Sequence, residues 1–153
     1  MLKSISRASP WMLSVLRIVV ALIFMEHGTA KILGFPPMTS SSVVGSLSWW
    51  GGIVEMTGGF LLVLGLFTRP VAFLLSGEMA VAYWMAHAPR GVFPVLNGGD
   101  AAILYCFVFL YLVFAGPGAL AVDRRLLYPA QSRPRLDQHA LDQQAGARGH
   151  HAD

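Results

Sequence analysis

Charge is scarce in this sequence. Asp, Glu, Lys and Arg make up 12% of its 153 residues, about half the share of an average soluble domain. With 55% hydrophobic residues and a mean hydropathy of +0.58, the scarcity excludes a disordered chain and a coiled coil. A soluble enzyme is not expected either, because the apolar residues come in long blocks that only lipid accommodates. Cysteine is scarcer still. Cys106 stands alone inside an apolar run, so there is no intrachain disulfide framework. It is expected to be a small buried hydrophobe rather than a reactive thiol. Also missing are a Cys-x-x-Cys-His haem attachment, a cysteine cluster and a Gly-x-Gly-x-x-Gly turn after a strand. The length allows one domain.

The net charge of +3 is distributed in an informative way. Most basic residues sit near the chain ends (Lys3, Arg7, Arg124, Arg125, Arg133, Arg135 and Arg148). They do not form a stripe with interleaved aromatics, so no nucleic-acid surface is expected. Clusters of this kind suit topology signals beside anionic headgroups, with the lipid bilayer as the partner.

Four apolar runs predict four membrane spans, at about 11–33, 47–67, 71–87 and 100–115. Residues 1–10 read as a short polar start. Glu26 and His27 interrupt the first run just before Gly28-Thr29-Ala30, and Arg17 sits in its early turns. The run therefore reads as a span rather than a cleaved signal peptide. Trp49 and Trp50 open the second span as interfacial anchors. Pro70 suits the start of the third. Residues 119–128 read as an interfacial stretch closing a membrane domain over 1–128. Residues 129–153 are polar and read as a disordered tail. The expected fold is an all-α four-transmembrane-helix bundle. The termini and the Arg69 turn carry nearly all the basic residues, which predicts both termini on the cytoplasmic side.

The spans hold Glu26, His27, Lys31, Glu55 and Glu78, while His87 and Asp100 lie at span ends. A charge at the bilayer centre costs ~2.5–3.5 kcal/mol on insertion scales, so these groups call for a function or a structural network. At ~1.5 Å of rise per residue, Glu55 falls ~10 Å from the outer boundary and Glu78 nearer the midplane. The other groups also fall in the outer half of the bundle. Gly51, Gly58 and Gly65 stack on one face of the second helix, so Glu55 points into the bundle. Glu78, Ala82 and Met85 share a face of the third. Acids outnumber bases, so at least one carboxyl is expected to keep its proton. A protonatable carboxyl beside a histidine in an apolar pocket suits quinone or quinol proton exchange, or a proton relay. His27, Glu26, Glu55 and Glu78 also form a mixed N/O set. No span carries a His-x-x-x-His or Glu-x-x-His pair, and no metal site is assigned.

The segments Leu16-Arg17 leading into Ile23-Phe24-Met25-Glu26-His27-Gly28 with Lys31, Glu55-Met56-Thr57-Gly58-Gly59, Leu64-Gly65-Leu66-Phe67-Thr68-Arg69, Glu78-Met79-Ala80-Val81-Ala82-Tyr83 with His87-Ala88-Pro89, and Asn97-Gly98-Gly99-Asp100 with Leu104-Tyr105 together resemble the DoxX family of small bacterial membrane proteins. The resemblance covers about residues 13–123. Asp100 departs mildly, since Glu is common there. The resemblance implies a four-helix protein of the bacterial inner membrane. Relatives include small subunits of a thiosulfate:quinone oxidoreductase and partners in oxidative-stress systems. The expected role is thus a membrane subunit of a quinone-linked oxidoreductase or redox-stress system. It has no built-in cofactor and draws on a diffusible quinone or a partner redox subunit. His27, Glu26, Glu55 and Glu78 are the candidate catalytic and proton-path groups. Lys31, His87 and Asp100 are the candidates for binding a quinone head or small anion. Two other readings of the same residues are a proton-coupled solute permeation protein, which would need a homo-oligomer, and a non-catalytic scaffold for a partner enzyme.

Overall fold

A long apolar run satisfies its own backbone in hydrocarbon only as a helix, and each of the four runs here becomes one. The computed structural model describes residues 2–37 and 42–127. Helix α1 covers Leu2–Leu33, α2 Leu47–Leu64 and α3 Thr68–Ala82. A π-helical turn, Tyr83–His87, continues α3 and passes into a 3-10 turn, Ala88–Arg90. The short α4 (Pro94–Asn97), the long α5 (Asp100–Ala115) and the short α6 (Val122–Leu127) follow. No strand occurs among the described residues. The stretches Ala8–Leu33 and Leu47–Leu64 are long and apolar enough to cross a membrane, and α5 is a shorter apolar helix.

The element boundaries differ from the expected spans in instructive ways. Helix α1 begins at Leu2 rather than near Trp11 and runs through Pro10. The change from polar to apolar residues marks a change of surroundings, not the end of a helix. The Pro10 carbonyl accepts the Ser14 hydroxyl at 3.1 Å and the Ala119 amide at 2.9 Å, fastening the segment after α5 to α1. Helix α2 stops at Leu64 because Gly65 takes a left-handed φ of +67°. The Gly65 amide bonds the Leu62 carbonyl and the Leu66 amide the Leu61 carbonyl, each at 3.0 Å, which closes the helix as a Schellman motif. Helix α3 then starts at Thr68, three residues before the expected position. Its cap comes from far along the chain: the Asp123 carboxylate accepts the Phe67 and Thr68 amides, each at 2.7 Å. These two hydrogen bonds flank Phe67 at a φ of +51°, uncommon for a side-chain-bearing residue. The fourth run forms a helix over 100–115 as expected. The expected tail, 129–153, lies outside the described residues.

Helix α1 packs chiefly on α2, and α3 chiefly on α5, while α2 and α3 touch much less. Glycines set the first pairing. A Cβ on Gly28 would lie 2.7 Å from the Gly52 carbonyl oxygen and the Met56 amide nitrogen, and one on Gly52 would lie 2.9 Å from Lys31 Cβ. The backbones therefore approach too closely for any side chain, as lipid-embedded helices do at small residues. The Gly51, Gly58 and Gly65 stripe faces elsewhere: a Cβ on Gly58 would meet Leu75 of α3 at 2.7 Å. Aromatic rings join the two pairs. Phe24 of α1 meets Phe109 of α5 edge-on at 4.8 Å and Tyr105 at 5.1 Å. Cys106 is half-buried beside this core, and its carbonyl accepts the Ser76 hydroxyl at 2.9 Å.

The burial pattern is inverted relative to a water-soluble protein. Large apolar side chains such as Val19, Leu22, Phe73, Leu74, Phe107 and Phe114 stand exposed along the long helices, while Ser14, Arg17, Glu55, Thr68, Ser76 and Asp123 are buried.

Candidate functional site

The site grows from the loose seam between α2 and α3. A cavity of about 650 Å³ opens there, within the 300–1,000 Å³ usual for small-molecule pockets. Val54, Leu74, Met79 and Met85 give it apolar walls, and the exposed Trp50 indole stands among the lining residues. Met85 belongs to the π-helical turn, an irregularity often found at functional sites. Three charged side chains line the cavity: Lys31 from α1, Glu55 from α2 and Glu78 from α3.

These three are not equivalent. Lys31 Nζ lies 2.6 Å from Glu55 Oε1, crossing the glycine-thinned α1/α2 contact to reach it. Glu55 is only 2% exposed, and its Oε2 is buried without a hydrogen-bond partner among the described residues. Glu78 Oε2 is likewise buried and unpartnered. A Cβ on Gly51 would lie 3.3 Å from Glu78 Oε1, so the glycine at that point leaves room for the carboxyl group. The cavity thus holds one satisfied ion pair and one carboxyl with no cation of its own. Buried polar atoms are nearly always partnered, and two orphaned oxygens around one cavity mark a place built to meet something else.

The other expected site residues do not line the cavity. Gly28 seats α1 on α2, and at 100° per residue Lys31 lies about 60° from that line, His27 about 100° and Glu26 about 200°. Glu26 and His27 are accordingly exposed, and the His27 imidazole meets the Tyr105 ring edge-on at 5.8 Å. His87 organises the connection before α5. Its Nδ1 lies 3.1 Å from the Asn97 carbonyl and its ring stacks on Tyr83 at 6.4 Å. Asn97 in turn donates to the Gly91 carbonyl and accepts the Gly99 amide, each at 2.8 Å. Asp100 is exposed in the first turn of α5, where a carboxylate suits the helix dipole. Among the described residues no group of three or more His, Cys, Asp and Glu side chains could hold a metal ion.

A second polar centre, at the opposite end of the α2/α3 seam, was not foreseen. The fully buried Arg17 guanidinium donates to the carbonyls of Leu62 and Leu120, to Val63 at 3.0 Å and to Pro117 at 2.9 Å. It caps carbonyls in the last turn of α2 and ties them to the segment after α5. Arg69 does the same for α5, donating to the Val113 carbonyl at 2.8 Å. One signal was available. Ser14, Arg17, Ala21, Phe24 and Gly28 recur at alternating spacings of three and four, the pattern of a buried helix face, and all five are buried. The reach of Asp123 to Thr68 had no local signal.

Polar groups inside and apolar groups outside, on helices alone, define an all-helical membrane protein. The chain belongs to the DoxX family, whose profile matches residues 12–88. It is 47% identical over 130 residues to an uncharacterized protein of Haemophilus influenzae, covering 81% of this chain and 97% of the relative. It is 31% identical to the inner membrane protein YphA of Escherichia coli, over 77% of this chain and 92% of the relative. An uncharacterized membrane protein of Mycobacterium tuberculosis is 27% identical over 72% of this chain and 78% of its own length. No solved structure matches the chain significantly.

Proposed function

We propose that the chain is a four-span protein of the bacterial inner membrane with both termini on the cytoplasmic side. We further propose that it serves as a membrane subunit of a quinone-linked oxidoreductase or redox-stress system. The cavity between α2 and α3 is then the site for the quinone head. The observation that carries this reading is the pairing of apolar walls with two orphaned carboxyl oxygens, Glu55 Oε2 and Glu78 Oε2. A ring with two oxygens on an isoprenoid tail needs such walls and such polar partners.

Topology supports the placement. The Arg69 turn and both termini carry the basic residues, so the Arg17 end of the seam is cytoplasmic and the cavity lies in the outer half. Eight residues separate Leu47 from Glu55, about 12 Å along the helix. A bound quinone supplies two-electron, two-proton redox chemistry. The chain's own residues would do the rest. Glu78 exchanges a proton with the ligand oxygen through its free Oε2. Lys31 and Glu55 hold each other in place and present the Glu55 Oε2 beside it. His27 and Glu26 lie four and five residues deeper on α1 than Lys31, where they would extend the proton path from the Lys31–Glu55 pair toward the midplane. His87 and Asp100 shape the outer end. Electrons come from a partner subunit, since the sequence carries no haem, flavin or iron–sulfur motif.

The test is an organic extract of the protein purified in mild detergent, analysed for quinone, with Lys31→Ala and Glu78→Gln prepared in parallel. Stoichiometric quinone in the wild type that is lost in both variants is expected. A wild type without quinone, or variants that retain it fully, would refute the assignment.

A further inference from the structure

The cavity has a charge asymmetry that a neutral quinone does not use. Lys31 is already neutralised by Glu55 at 2.6 Å. Glu78 is left with no cation among the described residues, and its Oε2 is buried and unpartnered. Among the described residues no other charged side chain lines the cavity, so its ionised lining sums to one negative charge, from Lys31, Glu55 and Glu78. A small anion entering it would meet the Glu78 carboxylate and find Lys31 occupied. A cation would supply the counter-charge that Glu78 lacks. The remaining lining suits one kind of cation. Trp50 offers an aromatic face, on which a cation gains further attraction, and the thioethers of Met79 and Met85 are polarizable surfaces that adapt to a ligand's shape. The walls are otherwise aliphatic apart from Ser48, and the exposed lining residues Trp50, Val54, Leu74, Val81 and Met85 face the lipid on the placement given above. A small inorganic cation would lose its hydration there without enough oxygen ligands in return. An organic cation with delocalised or shielded charge loses little.

We propose that the α2/α3 cavity binds amphipathic organic monocations that reach it from the bilayer, with the Glu78 carboxylate as counter-ion and Trp50 as the aromatic contact. The proposal shares the cavity of the quinone reading but stands on its charge and lining alone, so either can fail without the other.

The experiment compares tetraphenylphosphonium with tetraphenylborate, an anion of nearly the same shape and apolar surface. Each is titrated into the purified full chain in nanodiscs, with tryptophan fluorescence and calorimetry as readouts, and protein-free nanodiscs correct for partitioning. Saturable one-to-one binding of the phosphonium, with only partitioning of the borate, is expected. Glu78→Gln weakens phosphonium binding by about tenfold or more, the loss of one charge contact, and Glu78→Asp weakens it less. Thr57→Val, outside this cavity, leaves it unchanged. Equal binding of the two ions by the wild type overturns the proposal without recourse to any variant, as does a folded Glu78→Gln protein that binds the phosphonium like the wild type. Quinone in the wild-type extract without phosphonium binding removes the cation proposal and leaves the quinone reading standing. Phosphonium binding without quinone does the reverse.

Discussion

Replacing Lys31 by methionine isolates the energetics of the polar centre. The side chain loses its charge and is shorter by one atom, leaving Glu55 as a buried carboxyl with both oxygens unpartnered. Breaking a buried pair by removing one partner costs about 3–5 kcal/mol. Two features of this pair limit the figure. Lys31 is itself 24% exposed, which places the pair at the lower end of that range. Glu55 can also take up a proton, and at pH 7 protonating an ordinary carboxyl costs about 3.7 kcal/mol, so the loss has that ceiling. We therefore expect Lys31→Met to lower stability by about 3 kcal/mol at pH 7. At pH 5 the ceiling falls to about 1 kcal/mol, and the deficit should shrink towards it. The assay is reversible unfolding in mixed micelles by circular dichroism, run on the wild type, Lys31→Met, Glu55→Gln and the double variant. Glu55→Gln should cost less than Lys31→Met, because a buried amide is neutral. The double variant should be no worse than the costlier single one, giving a coupling energy of about 2 kcal/mol for neighbours that interact. Strict additivity, or a Lys31→Met deficit that does not diminish at lower pH, would show that the ion pair does not hold α1 on α2 as described.

Three further outcomes follow from the packing. Arg17→Ala should abolish a monodisperse fold in mild detergent, since it takes the donor from the carbonyls of Val63, Pro117 and Leu120 at about 1–3 kcal/mol each, while Leu62 keeps the Gly65 amide. Arg17→Lys should rescue it only partly, because a point charge cannot fork to several acceptors; an Arg17→Ala protein that melts like the wild type would refute the role. Gly52→Leu should separate α1 from α2 and cost about 3 kcal/mol or more, read as loss of the folded band in size-exclusion chromatography, whereas Gly77→Ala, with nothing within 4 Å of its Cβ, should be silent. A phosphatase reporter fused after Leu127 should be inactive and one placed within residues 91–93 active; the opposite pattern would invert the proposed topology.

The sequence discloses depth better than direction. Apolar run lengths locate Asp100–Ala115 to the residue and place Lys31, Glu55 and Glu78 at neighbouring heights, because rise per residue is constant. Angle around a helix axis needs to be known relative to a neighbour, and nothing local says that α1 seats on α2 through Gly28. Lys31 and Glu26 therefore read as one cluster although the structure turns them to different sides. The glycines were legible as packing surfaces, but the stripe at 51, 58 and 65 concealed a second one at 52 and 59, one step round, which faces α1 instead. Long-range caps such as Asp123 on Thr68 depend on the folded chain returning to the same end, and no pattern of neighbours encodes that.

The polar centre around Arg17, Arg69 and Asp123 has a mechanical consequence. It pins the α1/α2 pair and the α3/α5 pair together at one end of the molecule, Phe24 keeps α1 against α5 further along, and the α2/α3 seam opens into the cavity at the other end. Two rigid arms joined at a fixed end are levers on a shared pivot. The run from Thr68 to His87 is about 30 Å long, so a rotation of only ~5° about that pivot moves its far end by roughly 3 Å, the scale of ordinary shear and hinge motions between packed helices. A bulky ligand could then slip in sideways by spreading the arms, with no loop having to unfold and the Arg17 end remaining sealed.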